Sequence, residues 1–458
     1  MSALWTSSEI AAATGGTASG AFAVSGVTFD SREVGRGDLF LALKGEATDG
    51  HRFLDQAFTQ GAAGAVVSAD TPHAHVRVAD TMAALEDLGR ASRARMQGRV
   101  IGVTGSVGKT GTKEALFAAL DRPEPGRAHR SVKSYNNHTG VPLSLARMPR
   151  ETRFGVFEMG MNHAGELAAL TQIVRPHVAI VTAIAPAHTE FFRDESAIAD
   201  AKGEIFQGLE SGGTAIVPFD SPHRDRLIAA AQPHAARIVT FGLGEGADVR
   251  AIETMRTRTG GTFVTARLGE RELSFTLSQP GEHWVANAMA ILAAVDAVGS
   301  DLELAGLALA EMGGLPGRGA RFLAKVDGGE ALVIDESYNA NPASMRATLA
   351  VLRAEPADAR RIVLLGEMRE LGAESDAYHA ALADPIRAAG VSRAILVGEG
   401  MAALAKALEG QIDFVHVPDA ASARASLESM LAPGDAVLVK GSNAVGLASV
   451  VASLAGRG

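Results

Sequence analysis

Apolar positions along this chain fall into short runs separated by segments of helical period. Up to about residue 95 the runs are Val24-Ser25-Gly26-Val27-Thr28-Phe29, Leu39-Phe40-Leu41-Ala42-Leu43 and Ala65-Val66-Val67. The second follows the turn Gly35-Arg36-Gly37-Asp38, and the third follows Gly61 and Gly64. Each is strand-sized, so a small α/β domain is expected over 1–95. Met82, Leu85 and Leu88 recur at helical spacing and predict a helix leading into the next domain.

From 96 to 315 the strand candidates are residues 100–104, 154–157, 178–184, 214–217 and 238–241, with helical segments between most of them. That alternation predicts a parallel sheet with helices on both faces. Residues 263–268 and 273–277 flank Gly269-Glu270 and predict an appended β-hairpin. Gly313-Gly314-Leu315-Pro316-Gly317 reads as a linker. Over 316–458, apolar runs at 332–334, 362–365, 394–397 and 436–439 predict a second alternating α/β unit.

Composition narrows the function classes. The 458 residues are enough for about three domains of roughly 150 residues each. Apolar residues are 47% and charged residues 21%, which suits a globular protein with real cores. A net charge of −9 leaves no electrostatic footprint for nucleic acid, although a local basic pocket for a phosphorylated substrate stays open. With no cysteine, disulfides, thiol catalysis and zinc–thiolate sites are excluded. Residues 1–10 lack the basic and apolar regions of a signal peptide, and no apolar run approaches the ~20 residues of a membrane span. A cytoplasmic monomer is the expectation.

Val100-Ile101-Gly102-Val103 runs into Thr104-Gly105-Ser106-Val107-Gly108-Lys109-Thr110-Gly111, and a helical segment follows over 112–120. Strand, glycine turn, Lys-Thr and helix is the context of a phosphate-binding loop. Glycines let backbone N–H groups approach phosphate oxygens, and the helix N-terminus favours the negative charge. Lys109 is expected to reach the β- and γ-phosphates, and Thr110 to offer its hydroxyl to Mg²⁺. The strict pattern has glycine five positions before Gly108, where this chain has Val103. Alone, the loop points to a nucleotide and not to a reaction.

Glu158 ends the next apolar strand, in Glu158-Met159-Gly160-Met161-Asn162. A carboxylate there either is solvated or faces the phosphate loop and holds Mg²⁺. His188 follows Ala185-Pro186-Ala187, and Lys202 lies in Ala201-Lys202-Gly203-Glu204. Unaided, the first reads as a structural histidine and the second as an exposed lysine.

These segments resemble the Mur ligases, the ATP-dependent amide-forming enzymes of peptidoglycan assembly, in Thr-Gly-Ser-x-Gly-Lys-Thr, Glu-Met-Gly-x-Asn, Ala-x-Ala-His-x-Glu and Ala-Lys-Gly-Glu. The resemblance implies ATP and two Mg²⁺ ions, with Thr110, Glu158 and His188 as metal contacts. It also implies that Lys202 is carbamylated. Gly281-Glu282-His283-Trp284-Val285-Ala286-Asn287 is similar to the family's purine-contacting segment, which makes Asn287 an adenine contact and His283 a further candidate. Arg318 looks like the arginine that meets the γ-phosphate. Lys109, Lys202, His188 and Arg318 are thus the expected catalytic set.

Asp335-Glu336-Ser337-Tyr338-Asn339-Ala340-Asn341-Pro342 is the sharpest match, with Glu336 where the family commonly has Asp. It resembles the branch that adds D-alanyl-D-alanine to UDP-N-acetylmuramoyl tripeptide. That implies that Asp335 approaches the nucleotide and that Tyr338, Asn339 and Asn341 shape the adjoining site. Asp30-Ser31-Arg32 resembles the uridine-nucleotide end, so Ser31 and Arg32 are expected on UDP. Asn136-Asn137-His138-Thr139-Gly140 resembles the segment facing the UDP-sugar, with Asn137 and Thr139 as candidates. Residues 365–372 and Val439-Lys440-Gly441-Ser442 resemble the family's last domain, but Asn443 and Leu447-Ala448 replace its usual basic residue and Met-Glu pair. The implied fold is α/β in three domains, the last Rossmann-like and taking the dipeptide. The rivals are a Mur ligase that adds the third residue, a folylpolyglutamate synthase, and a nucleotide-gated binding protein without chemistry.

Overall fold

Val100, Ile101 and Val103 are fully buried, and their strand, Arg99–Thr104, lies inside a nine-stranded sheet, third counting from the edge strand Ala128–Arg130. The computed structural model describes residues 3–456 apart from 46–47, 187–188, 259 and 356–359. Across the sheet, Ala128–Arg130, Phe154–Glu158, Arg99–Thr104, Val178–Val181, Thr214–Pro218, Arg237–Gly242 and Val249–Arg256 lie side by side and parallel. Thr262–Leu268 and Arg271–Leu277 continue it as the expected antiparallel hairpin.

Alternate residues feed two cores. Ile101 and Val103 pack with the helices Lys109–Asp121, Glu282–Ala297 and Leu302–Glu311. Val100 packs on the other face with Glu166–Val174 and Glu195–Gly203. Burial of both faces is why these strands read as continuous apolar runs. The chain leaves Arg99–Thr104 toward one side of the sheet, through Ala128–Arg130 and Phe154–Glu158. It then crosses to Val178–Val181 on the other side. That reversal opens a crevice at the C-terminal ends of the central strands.

A six-stranded sheet follows, in the order Ala320–Val326, Gly329–Glu336, Ala436–Lys440, Arg361–Gly366, Val391–Val397, Asp413–Val417. Its first pair is antiparallel and the rest are parallel. The segment expected as a linker makes a tight turn, with Leu315 bridging to Arg318 and Gly319. Among the described residues, both hydrophobic clusters of this sheet are built from residues beyond 320. Arg256 of the central sheet reaches it, with Nη2 3.7 Å from Glu355 Oε1.

The first unit holds a five-stranded sheet in which Gly26–Thr28, Asp38–Leu41, Gly64–Val67 and His75–Arg77 run parallel. The predicted helix is Thr81–Arg95, started by Asp80, whose Oδ1 accepts from Met82 N at 2.7 Å. Its Leu85 and Leu88 share one apolar cluster with Leu143 and Ala146 of the central unit. Trp5 Nε1 donates to Ala146 O at 2.8 Å across the same seam. Among the described residues no helix is long and apolar enough to cross a membrane.

Candidate active site

The turn after Arg99–Thr104 depends on two glycines. Gly105 has φ 149°, and a Cβ there would stand 1.9 Å from Thr182 Oγ1. Gly108 has φ 86°, and a Cβ there would stand 3.0 Å from Asn287 Oδ1. Helix Lys109–Asp121 starts at Gly108 with no side-chain cap, so its first N–H groups face the crevice. An uncapped helix start after a glycine turn favours an anion. Lys109 folds back to donate to Gly105 O at 2.6 Å. Its enclosure lowers the ammonium pKa, Glu158 opposes that, and Arg318 adds to it.

Glu158 is 1% exposed, which rules out the solvated alternative. Its Oε2 accepts from Thr110 Oγ1 at 2.8 Å, and its Oε1 accepts from Asn136 Nδ2 at 2.8 Å. Buried Lys113 lies 3.9 Å from Oε2, close enough to balance the charge. The fold thus brings together two of the three expected metal contacts, Thr110 and Glu158. The third, His188, lies outside the described residues. Among the described residues no group of three or more His, Cys, Asp or Glu side chains is arranged to hold a metal.

Lys202 is not the exposed lysine expected from its local sequence. It is 1% exposed on the helix Glu195–Gly203, on the face that packs Ile198 and Ala201 into the core. Burial first, and the charge of Lys109 second, hold its pKa well below the usual lysine value. A lysine so placed is neutral far more readily than one in water.

Across the crevice, Arg318 Nη2 donates to Ser134 Oγ at 3.2 Å, and its guanidinium lies 4.1 Å from the Tyr338 ring centroid. Lys440 Nζ donates to Asn339 O at 2.9 Å and approaches Glu336 Oε2 at 3.4 Å. Burial lowers the Lys440 ammonium and raises the Glu336 carboxyl. Burial beside Lys440 also drops His283 to about 4, so its ring is neutral. Asn341 caps the helix Pro342–Arg353, with Oδ1 accepting from Ser344 N at 2.9 Å.

These groups surround a cleft of about 490 Å³ between the central and C-terminal sheets. Of the candidates, Ser106, Val107, Gly108, Lys109, Gly111, Glu158, His283, Asn287, Arg318, Tyr338, Asn339 and Asn341 line it. Ser134, Asn136, Trp284 and Lys440 line it too, and sequence reasoning assigned them nothing. Asn136 stands beside the chosen Asn137, so the adjacent pair was the signal. Gly105, Thr110, Lys202 and Asp335 stand behind the wall. Asp335 turns both oxygens to its own turn, accepting from Gly317 N at 2.6 Å and Ser337 Oγ at 2.6 Å.

The expected uridine-end residues lie apart from this cleft and make local bonds. Ser31 Oγ donates to Gln56 Oε1 at 3.2 Å. Exposed Arg32 grips Asp30 through Nε and Nη2, at 2.9 and 2.7 Å. That hydrogen-bonded pairing pulls the Asp30 carboxyl down to about 2. Asn137 Oδ1 accepts from Thr139 Oγ1 and Gly140 N at 3.0 and 2.9 Å.

Comparison with known proteins agrees along the whole chain. Three family models match: "Mur ligase family, catalytic domain" over 23–98, "Mur ligase middle domain" over 103–295, and "Mur ligase, glutamate ligase domain" over 320–443. The UDP-N-acetylmuramoyl-tripeptide–D-alanyl-D-alanine ligase of Escherichia coli (strain K12) is 35% identical over 437 residues, covering 94% of each chain. That of Bacillus subtilis (strain 168) is 32% identical, covering 94% of this chain and 93% of its own. A crystal structure of MurF from Acinetobacter baumannii superposes with a TM-score of 0.84 at 32% identity, over 98% of each chain. MurF ligase from Thermotoga maritima in complex with ADP gives 0.78 at 25% identity, over 95% of this chain and 98% of its own. With a phosphate loop, a buried carboxylate and a facing arginine around one cleft, and with relatives matched end to end, this chain belongs to the Mur ligase family.

Proposed function

We propose that this protein joins D-alanyl-D-alanine to UDP-N-acetylmuramoyl tripeptide at the expense of ATP, yielding the pentapeptide, ADP and phosphate for peptidoglycan assembly in the cytoplasm. The observation that carries this reading is one cleft lined by Ser106, Val107, Gly108, Lys109, Glu158 and Arg318, with Thr110 bonded to Glu158 behind it. The relatives' names and the ADP bound to a structural neighbour support the substrates and the nucleotide.

A carboxylate is a poor electrophile, and phosphorylation gives it a leaving group. The acyl carboxylate attacks the γ-phosphorus and ADP departs. The dipeptide amine then adds to the acyl carbon, and the tetrahedral adduct expels phosphate and loses a proton. The N–H groups at the start of Lys109–Asp121 cradle the phosphates, and Lys109 leaves Gly105 O to meet them. Arg318 supplies a cation from the opposite wall, and Asn287 borders the purine.

Thr110 and Glu158 suit Mg²⁺, which takes one or two carboxylate or hydroxyl ligands and fills its shell with water and phosphate. Thr110 and Glu158 would hold the ion, with His188 as a further proposed contact, and its charge would screen the repulsion between two anions. Lys202 suits carbamylation because only a neutral amine attacks CO₂. Its nitrogen bonds the carbon and releases one proton, leaving an anionic carbamate beside Lys109. Ser31, Arg32, Asn137 and Thr139 are the proposed contacts to the UDP-sugar in the domain 1–95 and the adjoining loop. Tyr338, Asn339 and Asn341 border the site from the domain 316–458.

The test is phosphate release with ATP, Mg²⁺ and UDP-muramoyl tripeptide, with and without D-alanyl-D-alanine. Dipeptide-dependent release and a new amide are expected. Their absence sinks the ligase reading and leaves nucleotide binding without chemistry.

A further inference from the structure

Ser134 has no part in the roles given above, yet it touches both halves of the site. Its Oγ lies 3.2 Å from Arg318 Nη2 and 3.4 Å from Thr110 Oγ1. The polarity of these contacts follows from their chemistry. Arg318 can only donate, so Ser134 accepts from it. The single Thr110 hydrogen goes to Glu158 Oε2, 2.8 Å away. The hydrogen between the two hydroxyls is therefore Ser134's own. A one-way relay results, from Arg318 through Ser134 and Thr110 to Glu158.

The turn that carries Ser134 is built to hold it. Lys113 is fully buried, and its Nζ donates to Ser131 O at 3.0 Å and to Lys133 O at 2.5 Å. Lys133, the residue before Ser134, has a φ of 53°, a conformation a side-chain-bearing residue rarely adopts. Two backbone carbonyls gripped by a buried ammonium keep the loop in that shape.

We propose that Ser134 is a positioning residue that holds the Arg318 guanidinium at the mouth of the phosphate loop. Held through Nη2, Arg318 keeps other guanidinium hydrogens for an anion standing before the loop. This inference rests on the reading that Arg318 meets the γ-phosphate.

The experiment compares wild type, Ser134→Ala and Ser134→Thr as full chains. Calorimetry with Mg²⁺ gives the Kd of ADP and of a β,γ-non-hydrolysable ATP analogue. Losing a hydrogen bond to a charged group predicts about tenfold weaker analogue binding in Ser134→Ala. ADP binding should be unchanged, and Ser134→Thr should restore the analogue. In an Arg318→Lys background, Ser134→Ala should add little. Equal losses for ADP and analogue, or no loss for either, overturn the proposal. If no amide forms but the split between ADP and analogue holds, the ligase reading fails and the Ser134 link stands. If amide forms and the split is absent, only the link falls.

Discussion

Asp335 Oδ2 accepts a 2.6 Å hydrogen bond from the amide of Gly317, the residue immediately before Arg318. Its other oxygen accepts from Ser337 N at 3.1 Å and Ser337 Oγ at 2.6 Å. One buried carboxylate thereby ties the turn entering Ala320–Val326 to the exit of Gly329–Glu336. Asp335 thus anchors the residue that precedes Arg318.

Asp335→Ala strands the Gly317 amide and the Ser337 donors away from water. We expect a loss of about 1–3 kcal/mol in folding stability, with a higher KM for ATP. Asp335→Asn keeps one acceptor and should fall between. Urea midpoints and ATP kinetics for the two variants check this. A normal midpoint and KM for Asp335→Ala would show that the turn holds without it.

Lys202 couples stability to alkaline pH. Its folded pKa lies well below the value of about 10.4 expected in an unfolded chain. Between those values the unfolded chain binds the extra proton, so stability rises as pH rises through that interval. In CO₂-free buffer, Lys202→Met should remove this rise. ¹³C-bicarbonate should give a carbamate resonance in wild type that Lys202→Arg lacks. A bare lysine in electron density from an active, CO₂-equilibrated, Mg²⁺-bound crystal counts against the carbamate.

His177 makes a contribution of the same sign at acid pH. Its Nδ1 accepts from Val100 N at 3.0 Å, so protonation there breaks a contact to the central strand. Burial, with Arg93 and Arg99 nearby, lowers its pKa to about 4, against 6.5 unperturbed. Its stabilisation is complete above the unfolded value and is lost as pH falls from 6.5 toward 4. His177→Asn keeps an acceptor but cannot titrate. Denaturant melts should show a shallower acid limb for this variant, not a flat one, since His129 and His283 are also lowered to about 4. An unchanged limb would mean that the histidine does not report on folding.

The central strands were readable because burial on both faces writes a continuous apolar run, as at Val100 to Val103. Ala128–Arg130 has three half-buried residues and no such run. Val249–Arg256 is mostly exposed beyond Val249, and Asp413–Val417 has no fully buried residue. Their pairing comes from neighbours, which local patterning does not encode. The phosphate loop and Glu158 were legible because their chemistry is local. Asn136, Ser134 and Lys440 were not, since each becomes a wall residue only through partners such as Glu158, Arg318 and Glu336, 22, 184 and 104 positions away. Lys202 read as exposed because only the packed core shows which face of its helix is inward.

The apolar seam of Leu85, Leu88, Leu143 and Ala146 has a mechanical consequence. Hydrocarbon contact is not screened by dissolved ions, and some salts strengthen it, whereas ion pairs near water are screened. The first two units form one platform, while the C-terminal unit meets it through polar spans such as Arg256–Glu355 and Arg318–Ser134. Salt is therefore an unequal lever on this enzyme: it slackens the charged spans to the arm that carries Arg318, while the platform loses only its rim pairs, Lys133–Glu33 and Arg150–Glu9, and keeps its apolar seam.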